Sequence, residues 1–328
     1  MTVLTSVAAA AVALTAQSAS AAPAKPSKDE VKSQVDALYE EAEQATEKFN
    51  GAKERQATLE KEIGQIQDQV ARGQSELNDL RSALGSMASA QYRSGGIDPS
   101  LALLLSADPD GYLDKASTLE HLSGKQVEAV QKIQAKQRTL AQQRQEASGK
   151  LADLDATRKE LAEKKKVSSE KLAAAQAILN TLTAQERAAL KDEETRASRA
   201  AGQRVDLGDV KASGRAGAAL AAAKTKVGSA YISGHEGPNS FDCSGLTQWA
   251  YKQAGVNISR VTYTQANDGT RISRSQLQPG DLVFFYGDLH HVGLYAGNNM
   301  TLHASNPRGG VKYESMDNMP FQFGVRIG

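Results

Sequence analysis

Two long stretches of heptad rhythm constrain this chain more than any other feature. From Val31 apolar residues recur at alternating four and three spacings through Val35, Leu38, Ala42, Ala45, Phe49 and Ala52, then Leu59, Ile63, Ile66, Val70, Leu77, Leu80, Leu84 and Met87. Gln56 and Gly73 interrupt that seam. A second arm keeps the same period from Val130 and Ile133 through Leu140, Ala147, Leu151, Leu154, Leu161, Leu172, Ala175, Leu179 and Leu182. A 3.5-residue apolar repeat of this length forms helices that bury one stripe against a partner, so each arm is expected to be a helix reaching roughly 80–90 Å.

Between the arms the pattern breaks twice, at Ser94–Pro99 and at Ser106–Gly111, with four leucines in Leu101–Leu105. The expectation is a helical hairpin over residues 28–191 with a small apolar head around 94–118. Residues 192–213 lose the seam and read as a linker. At 328 residues there is ample chain for a second domain, and Tyr, Phe, Gly and the single Trp249 gather after residue 226. That domain, 214–328, is expected to open with a helix near 218–227. A helix over 243–254 follows, then a loop over 256–280 and strands near 281–286, 290–296, 300–304, 311–315 and 323–327. A helix ahead of an antiparallel sheet is an α+β arrangement.

Residues 1–21 read as an export signal: an apolar run from Val3 to Ala16 ends in the small-x-small pattern Ala19, Ser20, Ala21. The run is shorter than the ~20 residues a membrane span needs, so no stable span is expected. No Lys or Arg precedes Lys25, which is expected if a basic segment lies upstream of Met1. A secreted location follows. The net charge of +1 and the lack of interleaved basic and aromatic residues give no indication of a nucleic-acid partner.

Cys243 is the sole cysteine, so no internal disulfide is open to it. It stands in Phe241-Asp242-Cys243-Ser244-Gly245, where Asp242 has N-cap chemistry and Leu246, Trp249, Ala250 and Gln253 mark the inward face of a helix. A thiol in the first turn feels the positive end of the helix dipole, which favours the thiolate. Four of five histidines lie in the same domain. Strand alternation lets only one of His290 and His291 face the thiol. His291 shares a face with Gly293 and Tyr295 and is the expected base; His303, on the next strand, is placed to orient it. His290 reads as a surface residue, and His235 as either surface or pocket rim. A zinc site built from these histidines and Cys243 is the lesser reading, because no metal-ligand spacing is present.

These residues, in this order, resemble the NlpC/P60 family of secreted cell-wall cysteine peptidases. The resemblance rests on Gly228-Ser229-Ala230-Tyr231, the Cys243 motif, Arg260 before Thr262, Gln278–Phe285, His291–Tyr295 and Leu302–Ser305. The signal and hairpin are similar to the coiled-coil actinobacterial subgroup. The resemblance implies a papain-like fold with Cys243 as nucleophile, His291 as base and His303 as third polar residue. It also implies peptidoglycan stem peptide as substrate, cut between D-γ-glutamate and the following diamino acid, with Tyr231, Asp242, Ser244 and Arg260 lining the groove and no cofactor. A membrane activator of the FtsEX kind, acting through the coiled coil, is the implied partner. One departure stands out: where the family has Trp-Gly-Gly, this chain has Ser233, Gly234 and His235. Two competing readings remain, a CHAP-like amidase or peptidase cutting another wall bond, and a non-enzymatic coiled-coil activator of a separate hydrolase.

Overall fold

The computed structural model describes residues 27–93, 101, 104–105, 111–205 and 214–328. Residues 1–21, read as an export signal, and most of the head at 94–118 lie outside the described residues. Helix α1 (Lys28–Arg93) and helix α2 (Tyr112–Leu179) are two arms of 66 and 68 residues, packed against each other within one chain. Val31, Val35, Ala42, Ala45, Ala52, Ile63, Ile66 and Leu77 are buried along α1, and Leu140, Leu154 and Ala175 along α2. Cross-arm ion pairs flank this seam, among them Arg55 with Glu160 at 2.6 Å and Lys150 with Glu62 at 2.7 Å. The break at Gly73 is a packing device: a β-carbon there would stand 2.8 Å from Cδ2 of Leu140. The seam is less regular than expected on the second arm, where Leu151 and Val130 are exposed.

The second arm ends at Leu179, and the stretch expected to be a linker is helical as far as Arg204. Helix α3 (Ala184–Arg204) starts at a capping box, with Thr183 and Glu186 each satisfying the other's backbone N–H. It escapes heptad reading because it belongs to two cores. Leu190 joins Val31, Val35, Tyr39, Leu179 and Leu182 at the hairpin base, and Ala201 joins the core of the C-terminal domain. Gly202 lets Tyr313 approach to within 3.2 Å of where a β-carbon would stand.

The C-terminal domain has helix α4 (Arg215–Lys224), strands β1 (Ala230–Tyr231) and β2 (Ser240–Phe241), helix α5 (Cys243–Gln253), helix α6 (Thr262–Gln265) and strands β3 (Thr270–Ile272), β4 (Leu282–Phe285), β5 (His291–Gly297), β6 (Met300–Ala304), β7 (Val311–Ser315) and β8 (Phe321–Arg326). The six-stranded sheet has the order β3-β8-β4-β5-β6-β7, every neighbour antiparallel. Alternation along β4, β5 and β6 sends Leu282, Phe284, Val292, Leu294 and Leu302 into one core with Leu246, Ala250 and Tyr251 of α5. Val283 and Phe285 join Met316 in a second core. This is the α+β, papain-like arrangement of a thiol-bearing helix against an antiparallel sheet, preceded by a helical hairpin. The expected loop 256–280 also holds α6 and β3, both too short to show a period.

Candidate active site

The thiol is positioned by a strand-to-helix turn. Asp242 caps α5 in extended backbone, its carboxylate accepting from the N–H of Gly245 at 2.7 Å, so Cys243 opens the helix. That turn tolerates no side chain at Gly245, where a β-carbon would meet the carbonyl oxygen of His235 at 2.2 Å. β1 pairs with β2 in parallel, setting Tyr231 opposite Phe241, at the strand that leads into the Cys243 turn. The Cys243 Sγ lies 3.7 Å from the carbonyl oxygen of His290, at the start of β5.

His291 and His303 are brought together across the β5–β6 ladder, Nε2 of His291 lying 2.6 Å from Nδ1 of His303. Gly293 faces β6, and a β-carbon there would come within 2.3 Å of Thr301 Oγ1 and 3.0 Å of the β-carbon of His303. The missing side chain therefore makes room for His303 and Thr301 rather than for a helix or ligand. Gly293→Ala is expected to cost about 1–3 kcal/mol by overpacking and to displace His303; thermal melts check the cost, and the histidine ring resonances check the displacement.

Protonation follows from the partners. Burial draws His303 down to about 4, so its ring is neutral at neutral pH. Its Nε2 lies 3.2 Å from the Glu314 carboxylate, which can only accept; Nε2 therefore carries the hydrogen and Nδ1 accepts from His291. The Nε2 of His291 is thus committed to His303, leaving Nδ1 for the thiol. Burial also draws His291 down, but the adjacent Glu43 carboxylate outweighs it, and the net direction is up. Burial first, then Glu43, Glu47 and Asp242, push the Cys243 thiol well up. As it stands, the thiol is protonated.

Glu43 and Glu47 come from α1, and the sequence reading missed both. Glu43 Oε1 sits 2.6 Å from His291 Nδ1. Glu47 accepts from Ser244 Oγ at 2.7 Å, and from the N–H and hydroxyl of Thr262 at 2.8 and 3.1 Å, with Oε1 3.9 Å from the thiol sulfur. The signal that could have found them is the stripe Glu43, Thr46, Glu47, Asn50, polar residues at i, i+3, i+4 and i+7 on a helix whose neighbouring seam is alanine-rich. Cys243 is completely buried, because α1 closes over it.

Asp242, Ser244 and Arg260 form one buried network: Arg260 donates to Asp242 at 2.6 Å, to Ser244 at 2.7 Å and to Glu236 at 2.9 Å. Tyr231 is buried. His290 is buried too, not on the surface: it stacks on Tyr286 at 4.2 Å and pairs with Asp288. His235 is exposed, its Nδ1 2.8 Å from Ser240 Oγ. Glu43, Cys243 and His291 present ligand atoms within 4.8 Å of one another, the one such group among the described residues. Cys, His and Glu are donors zinc accepts, yet here His291 Nδ1 is already taken by Glu43.

Residues 228–325 match the NlpC/P60 family. A probable endopeptidase of Corynebacterium glutamicum is 49% identical over 106 residues, covering 32% of this chain and 51% of the relative. A probable endopeptidase p60 of Listeria monocytogenes is 44% identical over 99 residues, 30% of this chain and 20% of the relative. The chain thus spans about half the length of the first and a fifth of the second. Among solved structures, the NlpC/p60 domain of the peptidoglycan hydrolase SagA is 36% identical, covered to 98% by 34% of this chain, with a TM-score of 0.33. On the family match and the two endopeptidase relatives, residues 228–325 form an NlpC/P60 family domain.

Proposed function

We propose that this chain is a secreted peptidoglycan hydrolase, a cysteine D,L-endopeptidase that cuts the D-γ-glutamyl–diamino acid bond of the stem peptide and is regulated through its coiled coil. The observation that carries the reading is a helix-opening thiol beside a histidine whose far nitrogen is fixed by a second, neutral histidine. With Nδ1 of His291 free, the ring takes the thiol proton as the sulfur attacks the γ-glutamyl carbonyl. First-turn N–H groups of α5 hold the oxyanion. His291 then delivers the proton to the leaving amine as the C–N bond breaks. Water adds to the thioester, releasing the γ-carboxyl and restoring the thiol. Tyr231, Asp242, Ser244 and Arg260 line the acyl side of the groove. Support for a membrane activator of the FtsEX kind is limited to the strongly exposed Leu101, Leu104 and Leu105 near the far end of the hairpin. No helix among the described residues is long and apolar enough to cross a membrane.

Mass spectrometry of fragments released from purified sacculi tests the bond. Residues 214–328, compared with the full chain, are expected to release fragments that begin with the diamino acid, leaving stubs that end in D-glutamate on the sugar, faster than the full chain does. Release of whole stem peptides from the sugar would establish an amidase instead, and equal rates from the two proteins would remove the case for regulation by the hairpin.

A further inference from the structure

The polar stripe of α1 does more than touch the catalytic domain: Glu43, Glu47 and Asn50 each occupy a group that the proposed chemistry uses. Glu43 holds His291 Nδ1, the one ring nitrogen left after His303 takes the other. Glu47 fills the notch beside the sulfur, using the Ser244 hydroxyl and both donors of Thr262. Asn50 donates to Asp242 at 3.0 Å, and the Tyr263 hydroxyl donates to the backbone carbonyl of Glu47 at 2.9 Å.

The local sequence is shaped to allow this approach. Gly51 lies mid-helix, where glycine costs about 1 kcal/mol relative to alanine, and a β-carbon there would stand 2.0 Å from the Tyr263 hydroxyl. Ser233 replaces the aromatic residue that the family resemblance implies; its hydroxyl meets Thr46 of α1 and lies 3.5 Å from Ser168 of α2. A tryptophan at that position would occupy the space where the two arms sit. Farther down, Arg308 of the β6–β7 turn clasps Asp36 of α1 at 2.6 Å and Glu194 of α3 at 2.8 Å.

Resting on the peptidase reading above, we propose that the hairpin is a built-in plug whose two carboxylates switch the enzyme off: Glu43 withdraws the base from the thiol, and Glu47 fills the notch where substrate must enter. The plugged enzyme has its groups arranged the wrong way for catalysis: the thiol keeps its proton, and His291 is paired to Glu43 instead of to the sulfur. Catalysis requires α1 to lift off the groove, and no bond need be made or broken to lift it.

The full chain tests this through its one cysteine. Alkylation of Cys243 by iodoacetamide, followed by intact mass, reads access and ionisation of the thiol without reference to any substrate. The Glu43→Gln/Glu47→Gln protein is expected to alkylate at least about tenfold faster than the unaltered chain at neutral pH, with the midpoint of its rate–pH profile moved to lower pH once two thiolate-opposing charges are gone. Should the double variant fold poorly by circular dichroism, Gly51→Leu opens the same contact while retaining both carboxylates and favouring the helix, and the same acceleration is expected. An unaltered chain that already alkylates as fast as the variants overturns the plug, as does a folded double variant that stays slow. Acceleration without release of stem fragments from sacculi would keep the plug and overturn the peptidase reading; rapid release by the unaltered chain would do the reverse.

Discussion

Replacing Cys243 by alanine in the Glu43→Gln/Glu47→Gln background is expected to abolish release of stem fragments, a loss of at least about 10³-fold, with the melting temperature little changed. The sulfur's polar contacts to Glu47 and to the His290 carbonyl are long, 3.9 and 3.7 Å, so the fold loses little with it. His291→Ala is expected to match that loss, because the second nitrogen of the ring is committed to His303 and no other buried base faces the sulfur once Glu43 is removed. His303→Ala is expected to cost less, since it orients His291 without handling the proton. Its effect should fall on kcat rather than on KM. Full hydrolysis by Cys243→Ala on purified sacculi would remove the nucleophile assignment, and equal losses at His303 and His291 would make His303 more than a positioning residue.

Much of the site is legible in the sequence because its cues are local. The N-cap of α5 takes four residues, and the alternation that separates His290 from His291 takes two. The hairpin is legible for the same reason, a short period repeated many times. What escapes is whatever two segments distant in the chain decide jointly. Glu43 and Glu47 look like ordinary members of a charged helix face, and only the docking of α1 on a groove some 200 positions later turns them inward. α3 escapes because its few apolar residues divide between two cores, so neither leaves a full stripe. His290 escapes because its burial rests on stacking against Tyr286, in a β4–β5 turn where Tyr286 and Leu289 both adopt left-handed backbone. The position where the chain departs from its family, Ser233, is readable as a loss of groove wall; that the space is filled by Thr46 and Ser168 is not.

Arg260→Ala is expected to destabilise the C-terminal domain by about 3–5 kcal/mol, the second large effect, because it strands a buried charge. Asp242 is fully buried, and its carboxylate is held by the N–H groups of Gly245 and Gly234, by Asn50 and by the Arg260 guanidinium. Of these only Arg260 carries positive charge. Glu47 lies in the same network, and burial followed by the charge of Asp242 pushes its carboxyl up to about 7 even with the guanidinium present. Without Arg260, two acids would compete for one neutral pocket, and α1 would be expelled or Glu47 held protonated. Two readouts therefore move together: the urea midpoint falls, and Cys243 becomes easier to alkylate. Arg260→Lys keeps the charge but loses the fork that reaches Asp242, Ser244 and Glu236 at once, so an intermediate cost is expected. Adding Asp242→Asn to Arg260→Ala should recover part of the stability, since the stranded charge leaves with it. A loss below about 1 kcal/mol for Arg260→Ala would mean that the backbone N–H groups hold the Asp242 carboxylate unaided, and that the guanidinium is free to serve the substrate instead.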